Sequence, residues 1–216
     1  MPLRVVVLIS GRGSNLKAIL DANDPLVEVC AVISNQVDAK GLEHAHTRNI
    51  PTEIVNHKDF KTRLEFDKAL QQRIDFYQPQ LIVLAGFMRI LSPEFATHYQ
   101  GRLINIHPSL LPAFKGLHTH ERVLKAGVKV HGVSVHFVTA ELDAGPVIVQ
   151  AQIPVLPEDD ADTLAARLLK EEHRIYPQAV HWIAEGRVQL IKQQVFLDGK
   201  PLSYVLPDNY PLGDES

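Results

Sequence analysis

The sequence predicts a single α/β domain, doubly wound, with a parallel N-terminal half and a mixed C-terminal half of one sheet. Three observations lead there. Short β-branched runs alternate with stretches of helical spacing through the first half of the chain. The first such run ends in a glycine loop that opens a helix, the usual start of an open α/β sheet. The length, 216 residues, suits one well-buried core and would be cramped for two.

Composition narrows the function classes. Apolar residues make up 45% and charged residues 22%, ordinary values for a globular chain. A net charge of −3 provides no basic footprint, which argues against nucleic acid as a partner. Cys30 is the only cysteine and lies in an apolar run, so neither a disulfide framework nor a thiolate zinc cluster is expected. Leu3–Ile9 is too short for a signal segment and nothing approaches a membrane span. A cytoplasmic protein acting on small molecules, without membrane contact, is the expectation; a homodimer is compatible with it.

The elements follow in order. Leu3–Ile9 (LRVVVLI) reads as a central parallel strand. It breaks at Ser10-Gly11-Arg12-Gly13-Ser14-Asn15, after which Leu16, Ile19 and Leu20 show helical spacing. Free backbone N–H groups and the positive end of a helix dipole make such a loop an anion cradle. A dinucleotide loop would need a third glycine where Leu16 stands, and no Gly-Lys-Ser/Thr follows, so one phosphate monoester is the better ligand. Val27–Ile33 is the second strand, 39–48 a helix, and Thr52–Val55 a short third strand. Thr62–Tyr77 is an amphipathic helix with Leu64, Ala69, Leu70 and Ile74 inward, and Arg63 in its first turn. Leu81–Ala85 is a buried strand ending in Gly86-Phe87-Met88-Arg89-Ile90-Leu91, where apolar groups flanking an Arg suit a flat heterocycle. Ser92-Pro93 starts another helix with an N-cap and Pro at its first position.

Next comes Leu103–Val149, the stretch richest in chemistry. An apolar run stops at Asn105-Ile106-His107, and Pro108 and Pro112 then forbid helix. Thr119–Ala126 is a short helix ended by Gly127. Gly132–Val138 and Val147–Val155 read as adjacent antiparallel strands around a tight turn, Leu142-Asp143-Ala144-Gly145-Pro146. Within the first of them His131 and His136 point to opposite faces, because their separation is odd. Singly, Asn105, His107 and Asp143 read as a strand-end cap, a hydrogen-bonded ring and a turn former. Together they are an amide donor, a titratable base and a carboxylate to orient it. His118 and His120 could face one way, but no third ligand stands at suitable spacing, and no metal is expected.

Asp160–Glu185 is the longest helical pattern, with Leu164, Leu168, Ile175, Val180 and Ile183 inward and Pro177 kinking it. Glu172 and His173 fall at its middle. Val188–Leu197 gives one or two last strands, and Asp198-Gly199 is a hairpin turn. There is no repeat and no linker, so residues 1–206 form the domain and Pro207–Ser216 a frayed tail.

The central stretch resembles the catalytic segment of the folate-dependent formyltransferases. The pattern reads Asn105-Ile106-His107-Pro108-Ser109-Leu110-Leu111-Pro112, then Phe114 and Gly116, His131-Gly132-Val133-Ser134-Val135-His136, and Asp143-Ala144-Gly145. Phe114 stands where the family often has Tyr. The likeness spans nearly the whole chain, since Ser-Gly-x-Gly-Ser-Asn-Leu resembles the phosphate grip of the branch that serves purine synthesis. The resemblance implies formyl transfer from 10-formyltetrahydrofolate to the glycinamide amine of a ribose 5-phosphate, by direct amine attack. It makes Asn105, His107 and Asp143 catalytic, with Asn105 also touching the folate. It assigns Gly13, Ser14, Asn15 and Glu172 to the phosphoribosyl substrate, and Arg63, Met88, Arg89, Ile90 and Leu91 to the folate. Asn105 and protonated His107 would donate to the oxyanion, and a water held by His107 and Asp143 would shuttle the proton.

Three competitors fit less well. Family members with an added regulatory or nucleic-acid domain would need room and basic charge that this chain lacks. A phosphate-metabolite sensor would have no use for Asn105, His107 and Asp143. A metal-dependent hydrolase would have to rely on His118, His120 and Asp143.

Overall fold

Strand β1 (Leu3–Ile9) turns Val5, Val7 and Ile9 to one face and Val6 and Leu8 to the other, and all five are fully buried. A strand buried on both faces must lie mid-sheet with a helical layer on each side. In the computed structural model of the chain, which describes residues 1–204 and 206, it does. The Pro207–Ser216 tail lies outside the described residues. A seven-stranded sheet runs in the order β3-β2-β1-β4-β5-β6-β7. Its members besides β1 are β2 (Val27–Ser34), β3 (Thr52–Ile54), β4 (Leu81–Leu84), β5 (Leu103–His107), β6 (Val130–Phe137) and β7 (Val147–Pro154). Strands β1 to β5 pair in parallel; β5–β6 is antiparallel, and so is β6–β7, as the turn-rich 138–146 connection predicts.

One face is covered by α1 (Ser14–Asp21), α2 (Leu42–His46) and α6 (Ala161–Ala184), which bring Leu16, Ile19, Leu42, Leu168 and Ile175 onto Val5, Val7 and Ile9. The other is covered by α3 (Arg63–Phe76) and α4 (Pro93–His98), through Phe66, Leu70, Ile74 and Phe95 on Val6 and Leu8. Helix α5 (Thr119–Ala126) closes a smaller cluster of Ala113, Phe114, Val123 and Leu164. Within α6, Tyr176 is fully buried and donates its hydroxyl to the Leu84 carbonyl (2.8 Å), fixing the helix against the end of β4.

Several sequence expectations shift. The helix expected over 39–48 is α-helical only at Leu42–His46, because the flanks close tighter turns, Leu42 N–H to the Ala39 carbonyl (3.1 Å) and Arg48 N–H to the Ala45 carbonyl (3.0 Å). Leu64 does not face inward and is 45% exposed. The Thr62–Glu65 capping box sets the start of α3, and from there the 66, 70, 74 row faces the sheet, with Asp67 buried beside it. Ile183, expected inward on α6, is only partly buried against the core. The last strands, β8 (Val188–Ile191), β9 (Gln194–Leu197) and β10 (Lys200–Pro201), leave the main sheet and form a small antiparallel one. Its β9–β10 turn is the expected Asp198-Gly199, both residues left-handed (φ 53° and 75°).

Candidate active site

The strand order sets the carboxyl ends of β1, β4 and β5 side by side, the crevice where open α/β sheets bind ligands. The loops that follow are 10–13, 86–92 and 108–118. Across β5 the antiparallel register sets His136 opposite Asn105 and Ser134 opposite His107.

That pairing builds the centre. The Ser134 hydroxyl donates to the Ser109 carbonyl (2.6 Å) and accepts from the Leu111 N–H (3.0 Å), which pins the proline loop onto β6. The loop then returns the Phe114 carbonyl to His107 Nε2 (2.9 Å). A carbonyl only accepts, so Nε2 carries a proton and donates to it. Nδ1 lies 3.4 Å from Asp143 Oδ2. Both ring nitrogens thus face protein oxygens, the Phe114 carbonyl and the Asp143 carboxylate.

Asp143 sits at a left-handed position (φ 49°) in the turn between β6 and β7. The turn folds tightly onto β6: a Cβ at Gly145 would come 1.7 Å from the Phe137 carbonyl oxygen, so no side chain fits there. Asp143 Oδ2 also accepts from the Gly116 N–H (3.0 Å), while Oδ1 lies 3.7 Å from His136 Nε2. His136 Nδ1 faces its neighbour's carbonyl, Phe137 O, at 3.0 Å and must donate to it. Its Nε2 is then the acceptor for the Asn105 amide, 3.4 Å away. Burial pushes the His136 pKa down, with the Asp143 charge opposing, so the ring stays neutral and keeps that lone pair. The Asn105 amide is aimed this way, with its second N–H left for another acceptor. Asp143 also lines a cavity of about 290 Å³ bounded by Lys115, Gln194 and Tyr204.

The first loop brings its expected residues together. Gly13 is left-handed (φ 68°), and a Cβ there would meet Gly41 Cα at 2.7 Å. Helix α1 starts immediately after it with no side-chain cap and no acidic residue in the first turn, so its N–H groups remain available to an anion. Asn15 donates to Glu172 of α6 (2.8 Å), and Asn15 Oδ1 is buried without a partner among the described residues. Burial raises the Glu172 pKa, partly offset by that hydrogen bond.

The second loop is apolar and open. Phe87 is buried, but Met88 is 70% and Ile90 61% exposed. The Arg89 guanidinium lies over the Phe66 ring (5.9 Å to its centroid). Arg63 opens α3 one turn before Phe66 and makes no hydrogen bond or ion pair among the described residues.

The histidines sort themselves out. His118 is exposed beside Glu121, whereas His120 turns inward to His131 (Nδ1 to Nε2, 3.0 Å), so the two do not share a face as expected. Burial pushes the His131 pKa down to about 3, and the charges of His120 and His107 push the same way. Sequence reasoning gave His136, Ser134 and the Phe114 carbonyl no role in the centre. The signal for the first two was present: once β5 and β6 are taken as neighbours, residues 105 and 136 fall opposite.

The chain as a whole is similar to known proteins. The formyl transferase family profile matches residues 3–180. The phosphoribosylglycinamide formyltransferase of Escherichia coli (strain K12) is 51% identical over 93% of this chain and 96% of its own. The trifunctional purine biosynthetic protein adenosine-3 of Bos taurus is 46% identical over 87% of this chain and 19% of its own. The solved phosphoribosylglycinamide formyltransferase of Coxiella burnetii superposes with a TM-score of 0.90 at 54% identity, covering 94% of this chain and 97% of that one.

Proposed function

This chain belongs to the formyl transferase family, and from that premise we infer that it transfers a formyl group from 10-formyltetrahydrofolate to the amine of 5-phosphoribosylglycinamide. The reaction is a step of purine (IMP) biosynthesis. The observation that carries the mechanism is the convergence of Asn105, His107 and Asp143, through His136, at the end of β5.

Attack of the amine on the formyl carbon makes a tetrahedral centre bearing an oxyanion, and Asn105 is the donor placed for it. Its amide is held by neutral His136, so no reorientation is needed as charge develops. The His107 imidazolium adds positive charge, stabilised on its Nδ1 side by Asp143. A proton must leave the attacking nitrogen and reach the departing folate nitrogen, too far for one side chain. A water beside His107 and Asp143 carries it. These steps call on no metal.

Gly13, Ser14 and Asn15 at the start of α1, helped by Arg12, hold the phosphate, and Glu172 accompanies the ribose or amine. Met88, Arg89, Ile90 and Leu91 wall the pterin pocket with Arg63 at its rim, and Asn105 reaches the formyl end. Exposed apolar side chains at a strand's carboxyl edge support that assignment. The fold acts as one domain over residues 1–206, in the cytoplasm. Among the described residues no helix is long and apolar enough to cross a membrane.

The direct test is an assay of purified protein with 10-formyltetrahydrofolate and either phosphoribosylglycinamide or water as acceptor. Formyl transfer to the amine with negligible hydrolysis is expected. Equal turnover with water alone would overturn the reading.

A further inference from the structure

Ser10 is the first residue of the loop assigned to the phosphate, yet its hydrogen bonds lead to the loop assigned to the folate. Its backbone N–H donates to the Gly86 carbonyl (3.1 Å), and its Oγ accepts from the Met88 N–H (2.7 Å). A hydroxyl has one proton to give, and Ser10 gives it to Asn35 Oδ1 (2.5 Å). Asn35 is buried to 1% exposure at the end of β2, with its own Nδ2 lying 3.2 Å from His57 Nδ1. His57 Nδ1 also lies 2.9 Å from the Asn35 carbonyl, and in either orientation of the Asn35 amide Ser10 Oγ is held from the end of β2 and accepts from the Met88 N–H.

Residues 86–91 have no helix or strand of their own, so their backbone is held by anchors outside the segment. At the far end the Ser92 N–H donates to Asp67 Oδ2 (2.7 Å), a carboxylate only 3% exposed on α3. At the near end the side-chain anchor is Ser10. Between them Met88 and Ile90 stand exposed, and their direction follows from the backbone at Met88.

We propose that Ser10 is a positioning residue for the folate substrate rather than part of the phosphate grip. It holds the Met88 backbone so that the 88–91 wall is formed before the pterin arrives. The proposal rests on the reading of Met88–Leu91 as the folate wall. Its signature is a split between neighbours in one loop, with Ser10 governing one substrate and Ser14 the other.

The experiment is steady-state kinetics with both substrates varied for Ser10→Ala, Ser10→Thr and Met88→Ala, with tetrahydrofolate affinity measured by calorimetry. Losing one hydrogen bond that preorganises the wall should raise the folate KM and the tetrahydrofolate Kd about 3- to 10-fold for Ser10→Ala. The phosphoribosylglycinamide KM should change less than about 2-fold, since that loop keeps its own contacts. Ser10→Thr, which keeps the hydroxyl, should restore folate affinity. A rise in the phosphoribosylglycinamide KM instead would overturn the proposal. So would unchanged folate affinity in Ser10→Ala alongside weakened affinity in Met88→Ala, which leaves the wall intact as a reading and Ser10 idle. Unchanged affinity in both variants would remove the folate-wall reading itself, and the proposal with it.

Discussion

At the end of β5, His107 and Asp143 are 6% and 9% exposed, with both His107 ring nitrogens and Asp143 Oδ2 held by partners within the protein. At the end of β4, one strand away, Met88 and Ile90 are 70% and 61% exposed and only the backbone is tied down. The two regions meet opposite demands. Groups that stabilise charge in a transition state must already be oriented, because reorganising them would cost the energy they are meant to supply. Groups that enclose a flat heterocycle need exposed apolar area, and the ligand itself completes their burial. Chemistry is held by side-chain networks across β5 and β6, binding by anchored loops that leave side chains open.

The widest break in that contrast should come from Asp143→Asn, which keeps the size and removes the charge facing His107. Activity at neutral pH should fall about 10²- to 10⁴-fold, the range for losing positioned acid–base help. Both KM values should stay within a few-fold. A large KM change with kcat preserved would mean that the buried region binds rather than reacts. Asn105→Ala comes next, with kcat down about 10²- to 10³-fold for the loss of one oxyanion donor. Its effect should not add fully to that of Asp143→Asn, since both residues meet at His136.

The binding side is sharpened by Ser14→Asp, which sets a carboxylate against the proposed phosphate. The phosphoribosylglycinamide KM should rise on the order of 10- to 100-fold through like-charge repulsion, with the folate KM nearly unchanged. Equal effects on both would dissolve the division of labour. Gly13 is a poorer probe, because any side chain there meets Gly41 Cα and moves the loop whatever it binds.

How much of this was legible follows from the range of the interactions. The central place of β1 followed from local patterning, since Val5 to Ile9 can be buried on both sides only in the middle of a sheet. The motif residues Asn105, His107 and Asp143 could be named because their types suit one chemistry. What stayed hidden depends on register or phase. Residues 105 and 136 become partners only when β5 and β6 pair antiparallel, and nothing local announces that pairing. Leu64 was misplaced because a helix's phase is set by its cap and its tertiary face, and Phe66, Leu70 and Ile74 outweigh one leucine. The role of Ser10 depends on a neighbour 78 residues away. The last three strands form their own sheet, although nothing in their alternation distinguishes them from strands of the main one.

The smallest effect is on stability, and it tests whether the buried region depends on neutral rings. His131 is fully buried, with His120 at its Nε2 and His107 near enough to repel a charge, and its pKa is pushed down to about 3. His136, between Asn105 and Asp143, is pushed down by burial as well. For a group depressed on folding, the unfolded chain binds the proton first. The stability contributed is fully present above the ordinary value near 6.5 and is lost as pH falls towards the folded value. Glu172 has the opposite sign: its raised value favours the folded state below about 4.5, and that contribution fades as pH rises. Urea unfolding should therefore show stability falling between about pH 6.5 and pH 5, by up to about 1.4 kcal/mol per pH unit for each proton excluded. His131→Gln should flatten that slope while lowering the plateau at higher pH, because it removes the titrating ring but disturbs the packing around His120. If the slope is the same in both proteins, His131 takes up its proton inside the fold, and the region around the catalytic residues is more open to water than its burial indicates.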